Sequence, residues 1–214
     1  MEKKKTVSIR QLHRYPEYLK ILYGLLEQKE TIVTSPTLAR LMDYSEEQVR
    51  KDLQLVSKDF GKPRVGRNIE SLINDIETFL GFNTITDSIL IGVGNLGSAL
   101  LKFDGFKKYG LNIVAGFDRN IAKVGNNING KTIYPLDKLE TMIPKLGISI
   151  AIVVVAEDAA QEIVDRLVNC GIKAIWNFAP VQLDVKGDVI VENMDLASSL
   201  AILTHKLKKK IETH

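Results

Sequence analysis

The stretch Ile89-Leu90-Ile91-Gly92-Val93-Gly94-Asn95-Leu96-Gly97-Ser98-Ala99-Leu100 restricts the fold more tightly than any other part of the chain. An apolar run enters a G-x-G-x-x-G and leaves as Leu-Gly-Ser-Ala-Leu, so a buried strand must turn sharply into a helix. In that turn Gly92 makes the bend, Gly94 lets a pyrophosphate approach the backbone, and Gly97 lets the helix lie close to the strand. The helix N-terminus, at Asn95 and Leu96, then faces the phosphates. Asp118 ends the next apolar run 21 residues after Gly97, where a carboxylate accepts from ribose hydroxyls and repels a 2′-phosphate. Arg119 beside it can stack on adenine or lie exposed, and a guanidinium can also hold a 2′-phosphate. Enzymes and proteins that only hold a nucleotide share this motif.

Its surroundings fix the class. From residue 88 onward short apolar runs alternate with amphipathic stretches: SILIGVG, LGSALLKF, NIVAGFD, LDKLETMI, ISIAIVVVA, AAQEIVDRLVNC, IKAIWNFA and DVIVEN. Continuous Val/Ile strands separated by helices specify a parallel sheet covered on both faces, an α/β fold. With 214 residues the chain suits two small domains, and the change of texture places their boundary at 84/85.

Residues 1–84 read differently. Tyr18, Ile21, Leu22, Leu25 and Leu26 line one face of a helix over 15–27. Ser35-Pro36 reads as an N-cap followed by proline at the first helical position, and Ser45 with Gln48 opens a third helix at about Glu46. There Val49, Leu53 and Val56 form the core stripe, leaving Arg50, Lys51 and Gln54 on other faces. Two short helices on a tight turn, the second bearing Arg, Lys and Gln, suit a major-groove reader. GKPRVGRNI at 61–69 reads as a basic wing, and 71–84 as an amphipathic connecting helix. Residues 1–67 hold 14 Lys/Arg against 9 Asp/Glu, leaving the rest of the chain two charges negative, so the basic excess sits where a polyanion would bind. Ser45, Gln48, Arg50, Lys51, Gln54, Lys58, Lys62, Arg64 and Arg67 are the candidate DNA contacts.

An oxidoreductase would need a proton donor beside the nicotinamide. His13, His205 and His214 are the three histidines, and none falls at a strand end. Tyr134 and Lys138 have Y-x-x-x-K spacing, but Pro135 disfavours the helix that pair works from, so Tyr134 reads as a helix entry. The single Cys170 precedes Gly171 after a helix, away from the ligand-binding strand ends. No catalytic or metal-binding constellation emerges. With no signal-like or membrane-spanning run and no second cysteine for a disulfide, a cytoplasmic location is expected.

RKDL at 50–53, the basic wing, GVGNLGSAL at 92–100 and WNFAP…VIVENMDLASSLAILTHKL at 176–207 together resemble the Rex family of redox-sensing transcriptional repressors, over nearly the whole chain. The resemblance implies a homodimer with an N-terminal winged helix (1–84), a Rossmann domain (85–194) and a C-terminal dimerisation helix (195–214) that swaps onto the partner subunit. That helix is expected at about Leu196–Leu207, with Leu196, Leu200, Leu203 and Leu207 on its apolar side. It further implies that operator DNA is bound when NAD⁺ is present and released when NADH binds. The alternatives are an NAD-dependent oxidoreductase with a structural N-terminal bundle and a redox-insensitive regulator.

The chain departs from the family in three places. The recognition helix continues Gln54-Leu55-Val56-Ser57 and is one residue longer than the family's before Phe60-Gly61, the wing has Arg67 where tyrosine is usual, and the Arg–Tyr–Asp interdomain link becomes Lys20, Phe103 and Asp195. Phe103 has no hydroxyl to offer such a link.

Overall fold

The computed structural model describes residues 7–57 and 66–212. The chain divides into two compact units, residues 1–84 and 85–214.

In the first unit α1 (Ile9–Glu27) begins at a capping box, in which the Ser8 side chain accepts from the Gln11 backbone N–H and the Gln11 side chain accepts from Ser8 N–H. The sequence points to a helix starting at Tyr15. The helix begins six residues earlier because this cap outweighs Pro16, which lies inside it and removes one backbone donor. Strand β1 (Ile32–Val33) follows, then α2 (Ser35–Met42), capped by Thr34 rather than the expected Ser35. Helix α3 (Glu46–Val56) is capped by Ser45 as its spacing implies. Strand β2 (Arg67–Asn68) pairs antiparallel with β1, and α4 (Ile69–Leu80) starts two residues before expectation because Asn68 caps it. Fully buried Tyr15, Tyr18, Leu22, Leu38, Val49, Leu53, Ile69 and Ile76 close one core. Each such side chain contributes roughly 1.5–3 kcal/mol in transfer terms.

The second unit is a seven-stranded sheet of order β5-β6-β4-β3-β7-β8-β9. Its strands are β3 (Thr86–Ile91), β4 (Leu111–Asp118), β5 (Asn127–Ile128), β6 (Lys131–Pro135), β7 (Ile150–Val153), β8 (Ala174–Asn177) and β9 (Ile190–Asn193). All pair in parallel except β5, which joins β6 through a turn with Asn129 and Gly130 both at positive φ. Tyr134 therefore lies in β6 rather than at a helix entry. Helix α5 (Asn95–Lys102) covers one face with Leu101 on Leu90, Ile113 and Ile133. On the other face α6 (Leu139–Leu146) and α7 (Glu157–Asn169) pack on Ile89, Ile91 and Val153. Alternate residues of β3 thus go to opposite faces, and both are buried, which is why the strand reads as continuously apolar. The order reverses between β3 and β7, and ligands of such sheets lie at the carboxyl ends of the strands there.

Helix α8 (Leu196–Glu212) extends past the expected Leu207 and is exposed along its whole length. Leu196, Leu200, Leu203, Leu207 and Ile211 are each 55–67% exposed and recur at helical spacing. Contiguous exposed apolar stripes of this length are rare on the surfaces of monomeric proteins.

Candidate functional site

The glycine loop sits at the switch point, and the three glycines have distinct reasons to lack a side chain. At φ +96° Gly92 is in the left-handed region, and a Cβ there would lie 2.3 Å from the Val154 carbonyl oxygen. A Cβ on Gly97 would lie 2.0 Å from the carbonyl oxygen of Gly92, which sets how closely α5 approaches β3. Gly94 is different: its Cβ would meet nothing within 4 Å. The space beside it is open, as a group approaching the backbone requires. Gly94 is also the N-cap of α5 and supplies no side-chain acceptor, so the helix N-terminus at Asn95 and Leu96 has no cap from its own sequence. These are the features a pyrophosphate needs.

Beside the loop, a cavity is lined by Ile91, Gly92, Asp118, Arg119, Leu136 and Val155 among others. Asp118 closes it and is 7% exposed. Its Oδ2 accepts from Val93 N–H at 2.8 Å and from Lys123 Nζ at 3.2 Å, and its Oδ1 accepts from Asn120 N–H at 2.8 Å. Burial favours the neutral acid, but the hydrogen bonds from Asn120, Lys123 and Val93 outweigh it and hold the carboxyl below the usual aspartate value. The charged form that repels a 2′-phosphate is therefore the stable one.

In the first unit α3 presents Arg50, Lys51 and Gln54 to solvent. Arg50 pairs with Glu46 at 2.8 Å and Lys51 with Glu47 at 2.7 Å, both one helical turn away and exposed. Such exposed pairs are screened by water and salt and are weak, so neither cation is tightly held by its partner. Ser45 is engaged as the cap, accepting from Gln48 N–H at 3.2 Å. Lys58, Lys62 and Arg64 lie outside the described residues. Arg67 belongs to β2, paired with Val33 and 8% exposed, so it lies within the two-stranded sheet with little surface to offer a ligand.

The position of α3 is set by a group that the periodicity does not single out. Asp52, 1% exposed, accepts from Arg14 Nε and Nη2, each at 2.6 Å, and from the Tyr18 hydroxyl at 3.2 Å, while the Tyr15 hydroxyl donates to its carbonyl at 3.0 Å. A bidentate guanidinium–carboxylate pair fixes α3 against α1 in both translation and rotation. The available signal was that Asp52 lies between the buried positions Val49 and Leu53, where an acid requires a cation from another element.

This pairing of a helical N-terminal unit with a glycine-loop sheet is found in known proteins. The family described as putative DNA-binding protein N-terminus matches residues 6–54, and that described as CoA binding domain matches 83–181. A redox-sensing transcriptional repressor Rex from Clostridium botulinum (strain Hall) is 38% identical over 209 residues, 98% of this chain and 99% of that protein. The chain belongs to the Rex family. A Rex repressor from Caldicellulosiruptor bescii is 37% identical over 211 residues, 99% of this chain and 97% of that one. The crystal structure of the repressor RSP in complex with β-NAD⁺ and operator DNA superimposes with a TM-score of 0.90 at 35% identity, covering 98% of this chain and 96% of RSP. RSP in complex with β-NADH gives 0.87, also at 35% identity, with 98% of each chain covered.

The residues aligned with the Rex interdomain link are placed as follows. Lys20 is exposed on α1. Asp195 is exposed and caps α8, accepting from the Ser198 hydroxyl and from Ser198 N–H at 2.9 Å, which together hold its carboxyl below the usual aspartate range and favour the charged form. Phe103, at the C-terminal end of α5, is 52% exposed and packs edge-on to Phe106, with centroids 4.8 Å apart. Phe106 continues edge-on to Trp176 at 5.5 Å, and Trp176 meets Phe178 in a tilted contact at 4.8 Å. Position 103 thus joins an aromatic row in the second unit, an arrangement the sequence spacing does not reveal.

Proposed function

We propose that this Rex protein is a transcriptional repressor that reads the NADH/NAD⁺ balance, binds operator DNA as a homodimer and releases it when NADH binds. The observation that carries this is the joining, in one chain, of an open glycine loop at a helix N-terminus with a helix pair whose outer face is Arg50, Lys51 and Gln54. Gly92, Gly94, Asn95, Leu96, Gly97, Asp118 and Arg119 would hold the dinucleotide. Ser45, Gln48, Arg50, Lys51, Gln54, Lys58, Lys62 and Arg64 would meet the DNA, while Arg67, buried in β2, would support the wing from its base.

Both redox forms carry the same adenosine and pyrophosphate, so those contacts supply affinity without preference. A signal requires a difference at the nicotinamide end that favours one dimer state. Moving a two-state equilibrium from 99:1 to 1:99 takes about 5.5 kcal/mol of differential binding, which two sites per dimer can share. Nothing in this cycle consumes the nucleotide, and the protein acts as a receptor with no turnover. Exchange of α8 between subunits would cover its leucine stripe and tie the two cofactor sites together. Residues Lys20, Phe103 and Asp195 would couple the units, position 103 doing so without the hydroxyl that a tyrosine would bring.

A gel shift on the DNA upstream of the protein's own gene, titrated with NADH and with NAD⁺, tests the reading. Loss of the complex with NADH alone is expected. Steady NADH turnover with a metabolite would replace this reading with that of an oxidoreductase.

A further inference from the structure

Lys123 closes a ring of hydrogen bonds around the middle residue of the glycine loop. It ends the short helical turn Ile121–Lys123, five residues after Asp118. Its ammonium donates to the Val93 carbonyl at 2.8 Å and to Asp118 Oδ2 at 3.2 Å, and Val93 N–H donates to that same oxygen at 2.8 Å. Both polar groups of Val93 are thereby held by one ion pair. Val93 lies between Gly92 and Gly94, and two glycines flanking one residue leave a loop many conformations to lose on binding. The ring selects one of them using only the chain's own groups. It also fixes Asp118: a carboxylate has about four acceptor positions, three of them are taken by Val93, Lys123 and Asn120, and the fourth lies on Oδ1.

We propose that Lys123 is a positioning residue for the dinucleotide, locking the Val93 peptide and the Asp118 carboxylate in the arrangement that receives the adenosine and pyrophosphate. This rests on the reading of the cleft as an NAD(H) site. Lys123 acts on the half of the ligand common to both redox forms, so it sets how tightly the cleft holds any of them and leaves their ranking alone. It follows that the cleft is formed before the ligand arrives.

The test is calorimetric titration of ADP-ribose, NAD⁺ and NADH into the full-length wild type and the variants Lys123→Met and Lys123→Arg. With Met, affinity for all three ligands is expected to fall by one common factor of about tenfold, the scale of a charge-assisted hydrogen bond. The NADH/NAD⁺ affinity ratio, and operator binding without nucleotide, should stay at wild-type values. Arginine, which can donate to both oxygens, should restore most of the loss. An unchanged affinity, or a loss confined to NADH, overturns the proposal. If the methionine variant melts early, Lys123→Gln, a shorter neutral donor, must fall between Met and wild type. Failure of the wild type to bind any of the three would instead overturn the reading of the cleft, and this inference with it.

Discussion

Replacing Asp52 with asparagine should loosen the recognition helix while leaving the nucleotide cleft untouched. The carboxylate is 1% exposed and takes two 2.6 Å hydrogen bonds from Arg14, whose side chain is 15% exposed. Removing one partner of a buried pair costs about 3–5 kcal/mol. Asparagine keeps the shape and one acceptor but loses the charge, so the expected cost is about 2 kcal/mol, the range of a hydrogen bond to a charged group. Against a stability of roughly 5–15 kcal/mol, such a change is measurable without abolishing the fold. Trp176 is the single tryptophan and lies in the second unit, so its emission follows residues 85–214, whereas far-UV circular dichroism reports both units. Denaturation of Asp52→Asn should bring forward the helical phase that Trp176 does not report, and operator affinity should fall about tenfold or more, with NADH affinity unchanged. A cycle with Arg14→Met should show coupling, because the two changes remove one interaction. Additive effects, or an equal loss of NADH affinity, would refute the claim that this pair positions α3.

Other expectations follow from single distances and exposures. Gly97→Ala places a methyl 2.0 Å from a backbone oxygen and should cost more than tenfold in NADH affinity along with a lower melting temperature of the second unit. Gly94→Ala, with open space around its Cβ, should leave the melting temperature in place and weaken NADH alone, and calorimetry separates the two. Burial, reinforced by the Asp52 charge, pushes the Tyr15 hydroxyl up to about 12. A raised native value gives stability that is present below the free-tyrosine value near 10 and lost as pH climbs toward about 12, so Tyr15→Phe should flatten part of the alkaline unfolding of the first unit. Leu200→Glu with Leu203→Glu charges the exposed stripe of α8 and should yield monomers by sedimentation, with operator affinity falling because two half-sites no longer act together.

The second unit was legible because its constraints are local: a run of β-branched residues buried on both faces, glycines in a fixed register, and an acid at the end of the next strand. What escaped depends on partners far apart in the chain. Asp52 and Arg14 are 38 residues apart, and neither has a periodicity that names the other. Lys123 reads as one surface lysine among many until the fold brings it to the Val93 carbonyl. The hairpin at Asn129-Gly130 did carry a signal, since that dipeptide favours two consecutive positive φ angles, but its strands are too short to show alternation. Helix starts moved where a cap lay outside the apolar pattern, as Ser8, Thr34 and Asn68 show.

Control of DNA binding by a nucleotide requires a coupling free energy between the two sites, and such coupling is reciprocal. Operator affinity measured by fluorescence anisotropy, with saturating NADH and with saturating NAD⁺, reads that coupling. Operator binding should be weaker with NADH than with NAD⁺, and operator DNA should lower NADH affinity by the same factor by which NADH lowers operator affinity. Equal operator affinity with the two nucleotides would contradict such control.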